Sequence, residues 1–283
     1  MNNKIITVIV TFNRTHILKA CLNSLVSQSL FPDSIIVIDN GSSDHTHEML
    51  KKNFPDDQRL NYFRMEKNIG GAGGFNYGAR LAVERGAEWI WLMDDDCLPE
   101  NNCLEKLVKG IKNKSDIYSP IVLSSSDRST TLWGIKAKVN SGCIEVPTLP
   151  FNGFIIHRDS IMDIGYPDPG FFIYGDDTEY NLRAKASGRK IMMVTDSIMF
   201  HPYKNKLSSS GIISMFSSKL WVYYKFRNAI IIYNKYKYIS INQVIMFTAA
   251  IFFFILTLNL KQAGLWFRGL ADGLCNRLYV RDL

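Results

Sequence analysis

Three consecutive carboxylates, Asp94-Asp95-Asp96, carry the clearest chemical potential in this sequence. Adjacent carboxylates repel one another and are costly without a compensating charge. Hard oxygens of this kind suit Mg2+ or Mn2+, which keep open positions for phosphate oxygens of a substrate. Side chains alternate along an extended segment, so Asp94 and Asp96 are expected on one side and Asp95 on the other. Asp96 is the first choice for the metal, Asp94 serves the metal or a ribose, and Asp95 is a structural member of the same nucleotide-binding group. The plainer reading is a solvated acidic turn ahead of a helix starting near Glu100. A second acidic group, Gly175-Asp176-Asp177-Thr178-Glu179, opens a helical stretch. One of its carboxylates can cap or orient the helix, and Asp177 is the candidate general base. His201, in Phe200-His201-Pro202, ends a short β run, where a neutral imidazole can complete a divalent site. A lone histidine is more often structural.

Candidate binding positions accompany these groups. Asp39 follows an apolar run and precedes Asn-Gly-Ser-Ser-Asp. It could accept from a pyrimidine ring N–H, or close an Asx turn, or both. Thr11 and Asn13 could touch a base and Arg14 a phosphate, or the same residues could form a loop with a helix cap at Thr15. Asn68, Gly71, Gly73 and Gly74 belong to NIGGAGG, where glycines let the backbone approach a ligand and a helix N-terminus offers N–H groups to an anion. The run lacks the GxGxxG spacing, which argues against a dinucleotide cofactor.

The elements that must position these residues read as strands alternating with helices. Apolar runs occupy residues 5–11, which is β-branched, 35–39 and 89–93, and a shorter strand-like segment lies at 60–64. Helical patterns occupy about 15–28 and 75–85. Such alternation implies an α/β fold with a mostly parallel sheet and helices on both faces. Ligands bind beyond the carboxyl ends of strands in such sheets, and three runs end in Asn13-Arg14, Asp39-Asn40 and Asp94-Asp95-Asp96. Residues 117–202 are more mixed. A serine-rich stretch, 208–211, suggests a division into a catalytic domain, 1–205, and a C-terminal helical region, 206–283.

The chain has 283 residues, 47% hydrophobic and 21% charged, enough for one large domain and an appendage. Its net charge is +7, and Lys and Arg lie among aromatic and aliphatic residues after residue 203. That mixture fits an anionic membrane surface better than nucleic acid. The apolar run 244–258 is short for a bilayer span and reads equally as a core helix or an interfacial one. Five cysteines without paired spacing indicate neither a disulfide framework nor a zinc site, and no signal-peptide pattern is present.

VTFNR, IDNGSSD, NIGGAGGFNYG, WLMDDD, GDDTEYNLRA and FHP, in this order over roughly residues 4–204, resemble the family 2 glycosyltransferases of the GT-A fold. NIGGAGGF and GDDTEYNLRA resemble the galactofuranosyl- and rhamnosyltransferase branch that builds bacterial surface polysaccharides (O-antigen, capsule). The resemblance implies an inverting enzyme with Asp177 as base, Asp94, Asp96 and His201 around Mn2+ or Mg2+, and Asp39 at the nucleobase. It also implies a UDP- or dTDP-sugar donor and a lipid-linked saccharide acceptor. The expected location is cytoplasmic, peripheral at the inner face of the cell membrane. Oligomeric state stays open, a homo-oligomer included. Galactofuranose from UDP-galactofuranose is the preferred donor. Gly175 departs from the Trp of galactofuranosyltransferases, which keeps dTDP-rhamnose as the alternative. Tyr223-Tyr224-Lys225-Phe226-Arg227-Asn228 resembles a helical segment that follows the catalytic domain in this branch. Two other classes compete: a sugar nucleotidyltransferase, which needs a glycine-rich basic loop where this chain has FNRTH, and a non-catalytic membrane scaffold.

Overall fold

The computed structural model describes residues 4–55, 57–132, 137–202, 215–257 and 259–281. The expected boundary at 205/206 and the serine-rich stretch lie outside the described residues. The first half alternates as expected: β1 (Ile5–Thr11), α1 (Thr15–Val26), β2 (Ser34–Asp39), α2 (Thr46–Asn53), β3 (Leu60–Arg64), α3 (Gly70–Glu84) and β4 (Trp89–Asp94). Next come β5 (Leu98–Pro99), α4 (Cys103–Gly110), β6 (Ile117–Ser124), β7 (Cys143–Glu145), β8 (Phe154–His157), α5 (Arg158–Ile164), α6 (Asp176–Ala186) and β9 (Ile191–His201). Three helices follow: α7 (Lys219–Tyr236), α8 (Ile241–Thr257) and α9 (Leu260–Leu274).

The strands form one sheet in the order β3-β2-β1-β4-β8-β6-β9-β5, with β7 pairing β9. β3, β2, β1 and β4 are parallel. β8 is antiparallel to β4 and to β6, so the second half of the sheet is mixed. Strand alternation feeds two cores. Ile6, Val8, Val10, Ile90 and Leu92 face Phe75, Ala79 and Ala82 of α3. Ile5, Ile9, Trp89, Trp91 and Met93 face Leu18, Cys21, Leu22 and Leu25 of α1. Continuous apolar runs are what a strand buried on both faces requires. Register then aligns the strand ends, with Thr11 opposite Asp39, Asp39 opposite Arg64 and Val10 opposite Asp94.

Two expectations need correction. The helix expected from about Phe75 starts at Gly70, so the glycine run is helical. Glycine disfavours a helix interior by about 1 kcal/mol relative to alanine, but tight packing overrides this. A Cβ on Gly74 would stand 2.6 Å from Val10, and one on Gly78 2.3 Å from Val8. The C-terminal charges, expected to face outward, are partly spent inside. Arg227 is fully buried, Lys235 pairs with Glu179, and Arg277 and Arg281 pair with Asp272.

The three last helices enclose their own aromatic core of Phe216, Trp221, Phe226, Phe254 and Trp266. α8 packs one face of its apolar run into this core and leaves the other exposed. Ala250 and Phe254 point inward, while Ile245, Phe252 and Leu256 are exposed. Among the described residues no helix is long and apolar enough to cross a membrane.

Candidate active site

β4 ends at Asp94, and Asp95 and Asp96 form a turn. Strand alternation therefore does not extend to them, which corrects the expected split of the triplet. Asp95, almost inaccessible, accepts from Thr11 Oγ1 at 2.6 Å and from Arg14 Nη1 at 2.9 Å. The same Arg14 nitrogen donates to Asp96 Oδ2 at 3.0 Å, and His201 Nε2 lies 3.0 Å from Asp96 Oδ1. Burial pushes the Asp96 pKa up, but His201 and Arg14 outweigh it and hold the group below its ordinary value. Asp95 goes the other way, because burial outweighs its bonds to Thr11 and Arg14. Asp94 is driven well up by burial and by the charges of Asp96, Asp95, Asp176 and Asp177. The two acidic motifs, far apart in sequence, thus act on each other electrostatically. Among the described residues no three His, Cys, Asp or Glu side chains are gathered into a ready metal cage.

The expected nucleotide contacts line the same strand ends and are knitted together. Asp39 Oδ1 accepts from the Ser42 amide at 2.8 Å, the Asx turn read as one alternative, and Oδ2 accepts from Tyr62 Oη at 2.5 Å. Asn13, in the left-handed region at φ 53°, receives the Ser43 amide on Oδ1 at 2.7 Å. Asn68 Oδ1 accepts from the Gly70 amide at 2.8 Å, and Asn40 Nδ2 donates to Gly70 O at 3.0 Å. The glycines divide by environment. Gly73 packs on Ile69 and Gly74 on Val10, whereas nothing lies within 4 Å of a Cβ on Gly71. Gly70, which the sequence did not single out, is the tightest: a Cβ there would meet Phe172 O at 2.2 Å.

α6 begins at Asp176 with Gly175 left-handed at its N-cap. A Cβ on Gly175 would stand 3.2 Å from Ile232 of α7. Asp177 Oδ1 accepts from the Thr178 amide at 2.6 Å. Burial raises the pKa of both Asp176 and Asp177, the Asp177 charge raises Asp176 further, and the Lys225 ammonium of α7 opposes both shifts. Behind the pair, Glu179 accepts from Arg183, Lys235 and Tyr236, tying α6 to α7. Tyr62, Lys225, Arg227 and Asn228 had no assigned role in the sequence. Tyr62 needs the β2–β3 register to be seen beside Asp39, and the other three act from a helix about fifty residues further along the chain.

A mixed sheet whose parallel half gathers Thr11, Asp39 and Asp94 at its strand ends, with a second acidic pair within electrostatic reach of Asp94, has the architecture of the GT-A fold. The model of glycosyl transferase family 2 matches residues 6–165, and the chain belongs to that family: it is a glycosyltransferase. Galactofuranosyltransferase GlfT1 of Mycobacterium tuberculosis is 31% identical over 218 residues, 71% of each chain. The dTDP-rhamnosyl transferase RfbF of Shigella flexneri is 27% identical over 251 residues, 83% of this chain and 81% of RfbF. Among solved structures, GalNAc-T7 with UDP, GalNAc and Mn2+ has a TM-score of 0.65 at 19% identity, covering 82% of this chain and 48% of that one. S. aureus TarS 1-349 in complex with UDP-GlcNAc has a TM-score of 0.64 at 18% identity, covering 95% and 80%. These two likenesses are of fold.

Proposed function

We propose that this glycosyltransferase moves galactofuranose from UDP-galactofuranose, with inversion, to a lipid-linked saccharide of bacterial surface polysaccharide. The observation that carries the reaction type is the acidic strand end, where Arg14 bridges Asp95 and Asp96 at 2.9 and 3.0 Å and His201 stands 3.0 Å from Asp96. The likeness to GlfT1 supports the sugar. A dTDP-rhamnose donor is the second reading, favoured by the greater share of the chain that matches RfbF.

The donor base lies against Thr11, Asn13 and Asp39, with Arg14, Asn68 and the open space at Gly71 toward the diphosphate. Gly74 and Gly78 keep α3 close to the sheet, and Gly73 lies with Gly71 on the stretch of α3 nearest the donor. Asp94, Asp96 and His201 are the residues that would hold Mn2+ or Mg2+. They fit it, because Asp96 offers hard carboxylate oxygens with the His201 imidazole 3.0 Å away, in a surplus of carboxylates, and such ions commonly take one or two carboxylates and complete their shell with substrate phosphate. When bound, the cation neutralises the departing diphosphate. Asp177 takes the proton of the acceptor hydroxyl as its oxygen bonds to the anomeric carbon from the face opposite the diphosphate, and the bond to the diphosphate breaks. One carboxylate suffices, since no covalent sugar–enzyme intermediate is formed.

The outward face of α8 and the start of α9, with Leu256 82% and Leu260 81% exposed beside Lys261 and Arg268, supports work at the inner surface of an anionic membrane. Flotation with anionic vesicles checks this: protein left in the soluble fraction at low salt removes the idea. The donor is tested by thermal unfolding with Mn2+ and a panel of UDP- and dTDP-sugars. The expected result is metal-dependent stabilisation, largest with UDP-galactofuranose. Stabilisation by dTDP-rhamnose alone moves the assignment to the second reading, and none by any sugar nucleotide overturns both.

A further inference from the structure

The chain reaches the acidic pair through an unusual turn. Phe172, Tyr174 and Gly175 have φ of 61°, 66° and 90°. Left-handed backbone is rare for bulky residues, and two aromatics adopt it here within three positions. Such a path persists only when its surroundings over-determine it.

The surroundings are specific. Arg227 Nη2 donates to Gly170 O at 2.6 Å and to Phe171 O at 3.2 Å. Asn228 Nδ2 donates to Phe171 O and Ile173 O at 2.9 Å and to Tyr174 O at 2.7 Å. Phe172 O accepts from the Ala72 amide at 3.1 Å, and Gly175 O from the Glu179 amide at 2.8 Å. Every carbonyl from Gly170 to Gly175 is therefore held, four of them by two adjacent side chains of α7. The orientation of the Asn228 amide is forced. Arg227 Nε can only donate and lies 2.9 Å from Asn228 Oδ1, so the NH2 must face the turn. Phe172 also stacks on Tyr224, with ring centroids 4.8 Å apart. Both clamp residues are essentially inaccessible. A buried guanidinium whose hydrogen bonds all go to neutral oxygens is a poor way to gain stability. It is a good way to fix one backbone path.

We propose that Asn228 and Arg227 are positioning residues of the transfer reaction, holding the turn at residues 170–175 so that Asp176 and Asp177 meet the end of β4. The C-terminal helices are by this inference part of the catalytic apparatus. The inference rests on the acidic pair supplying the base.

The test uses the full chain, the donor found by the thermal screen, and UDP with Mn2+ as the binding probe. Asn228→Asp keeps size and shape but turns the donor toward the carbonyls into an acceptor. Its kcat per folded molecule is expected to fall by about 10²-fold, the loss that slight misplacement of reacting groups produces, with the UDP–Mn2+ affinity unchanged. Adding Tyr174→Gly in the Asn228→Ala background should recover part of the turnover, because glycine adopts the left-handed conformation without steric cost. Arg227→Lys, which keeps charge but not the fork, serves if the Asn228 variants do not fold. A kcat per folded molecule equal to wild type in Asn228→Asp or Arg227→Lys overturns the inference, as does a UDP affinity that falls in step with kcat. Asp176→Asn and Asp177→Asn run alongside. If both turn over normally, the base reading itself fails; if either is inactive while Asn228→Asp is not, only the clamp fails.

Discussion

The strand-end face and the turn at residues 170–175 bring carboxylates to the same place by opposite means. Asp39 and Asp94 arrive on regular parallel strands, and register alone aligns them with Thr11. Asp176 and Asp177 arrive from an irregular turn whose left-handed aromatic residues cost about 1–3 kcal/mol each, held by side chains from a helix beyond the sheet. The first arrangement depends on strand register alone, whereas the second depends on α7, whose Arg227 and Asn228 hold the carbonyls of the turn.

The largest expected effect tests that difference. Asp177→Asn should lower kcat by about 10²–10⁴-fold, the usual contribution of a general base, with UDP–Mn2+ binding by calorimetry intact because the strand-end face is untouched. Loss of binding together with turnover would break the division into a donor face and a base-bearing turn. A smaller effect sharpens it within one glycine run. Gly70 sits at φ 76° against the Phe172 carbonyl, whereas Gly71 faces open space. Gly70→Ala should destabilise by about 2–4 kcal/mol in denaturant unfolding, through left-handed strain and overpacking against the turn. Gly71→Ala should stay within about 0.5 kcal/mol and instead raise the donor KM. Equal destabilisation by the two would mean that the turn does not lean on α3.

Much of the strand-end face was legible because each run carries its own signal. Residues 5–11, 35–39 and 89–93 are short apolar runs, and polar residues follow each. Legibility ended where tertiary contacts took over. Asp95 and Asp96 left the strand pattern because the strand ends at Asp94, and both then met Arg14. The start of α3 was misplaced because glycine signals a loop unless Val8 and Val10 are known to press on it. Asn228 and Arg227 were invisible as a clamp. They act on backbone carbonyls more than fifty residues away, which no spacing encodes, and a count of basic residues gives no hint that Arg227 is buried.

The smallest effect concerns Lys225, whose charge acts on the acidic pair from α7. The groups that set the acidic pair are Asp94 at the end of β4, the two carboxylates themselves, and Lys225 on α7. Burial raises both carboxylates and Lys225 pulls both down. The base must be ionised to accept a proton, so activity is lost as pH falls through the pKa of the pair. Lys225→Met keeps most of the aliphatic stem and removes the charge. With this downward-pulling charge gone, the pKa of the pair rises, and the acidic limb of the kcat/KM profile should move to higher pH while the alkaline plateau keeps its height. A limb that stays where it is would mean that the C-terminal helices hold the turn by hydrogen bonds without tuning its charge. A limb that moves to lower pH would mean that the group titrating in the profile is not this pair.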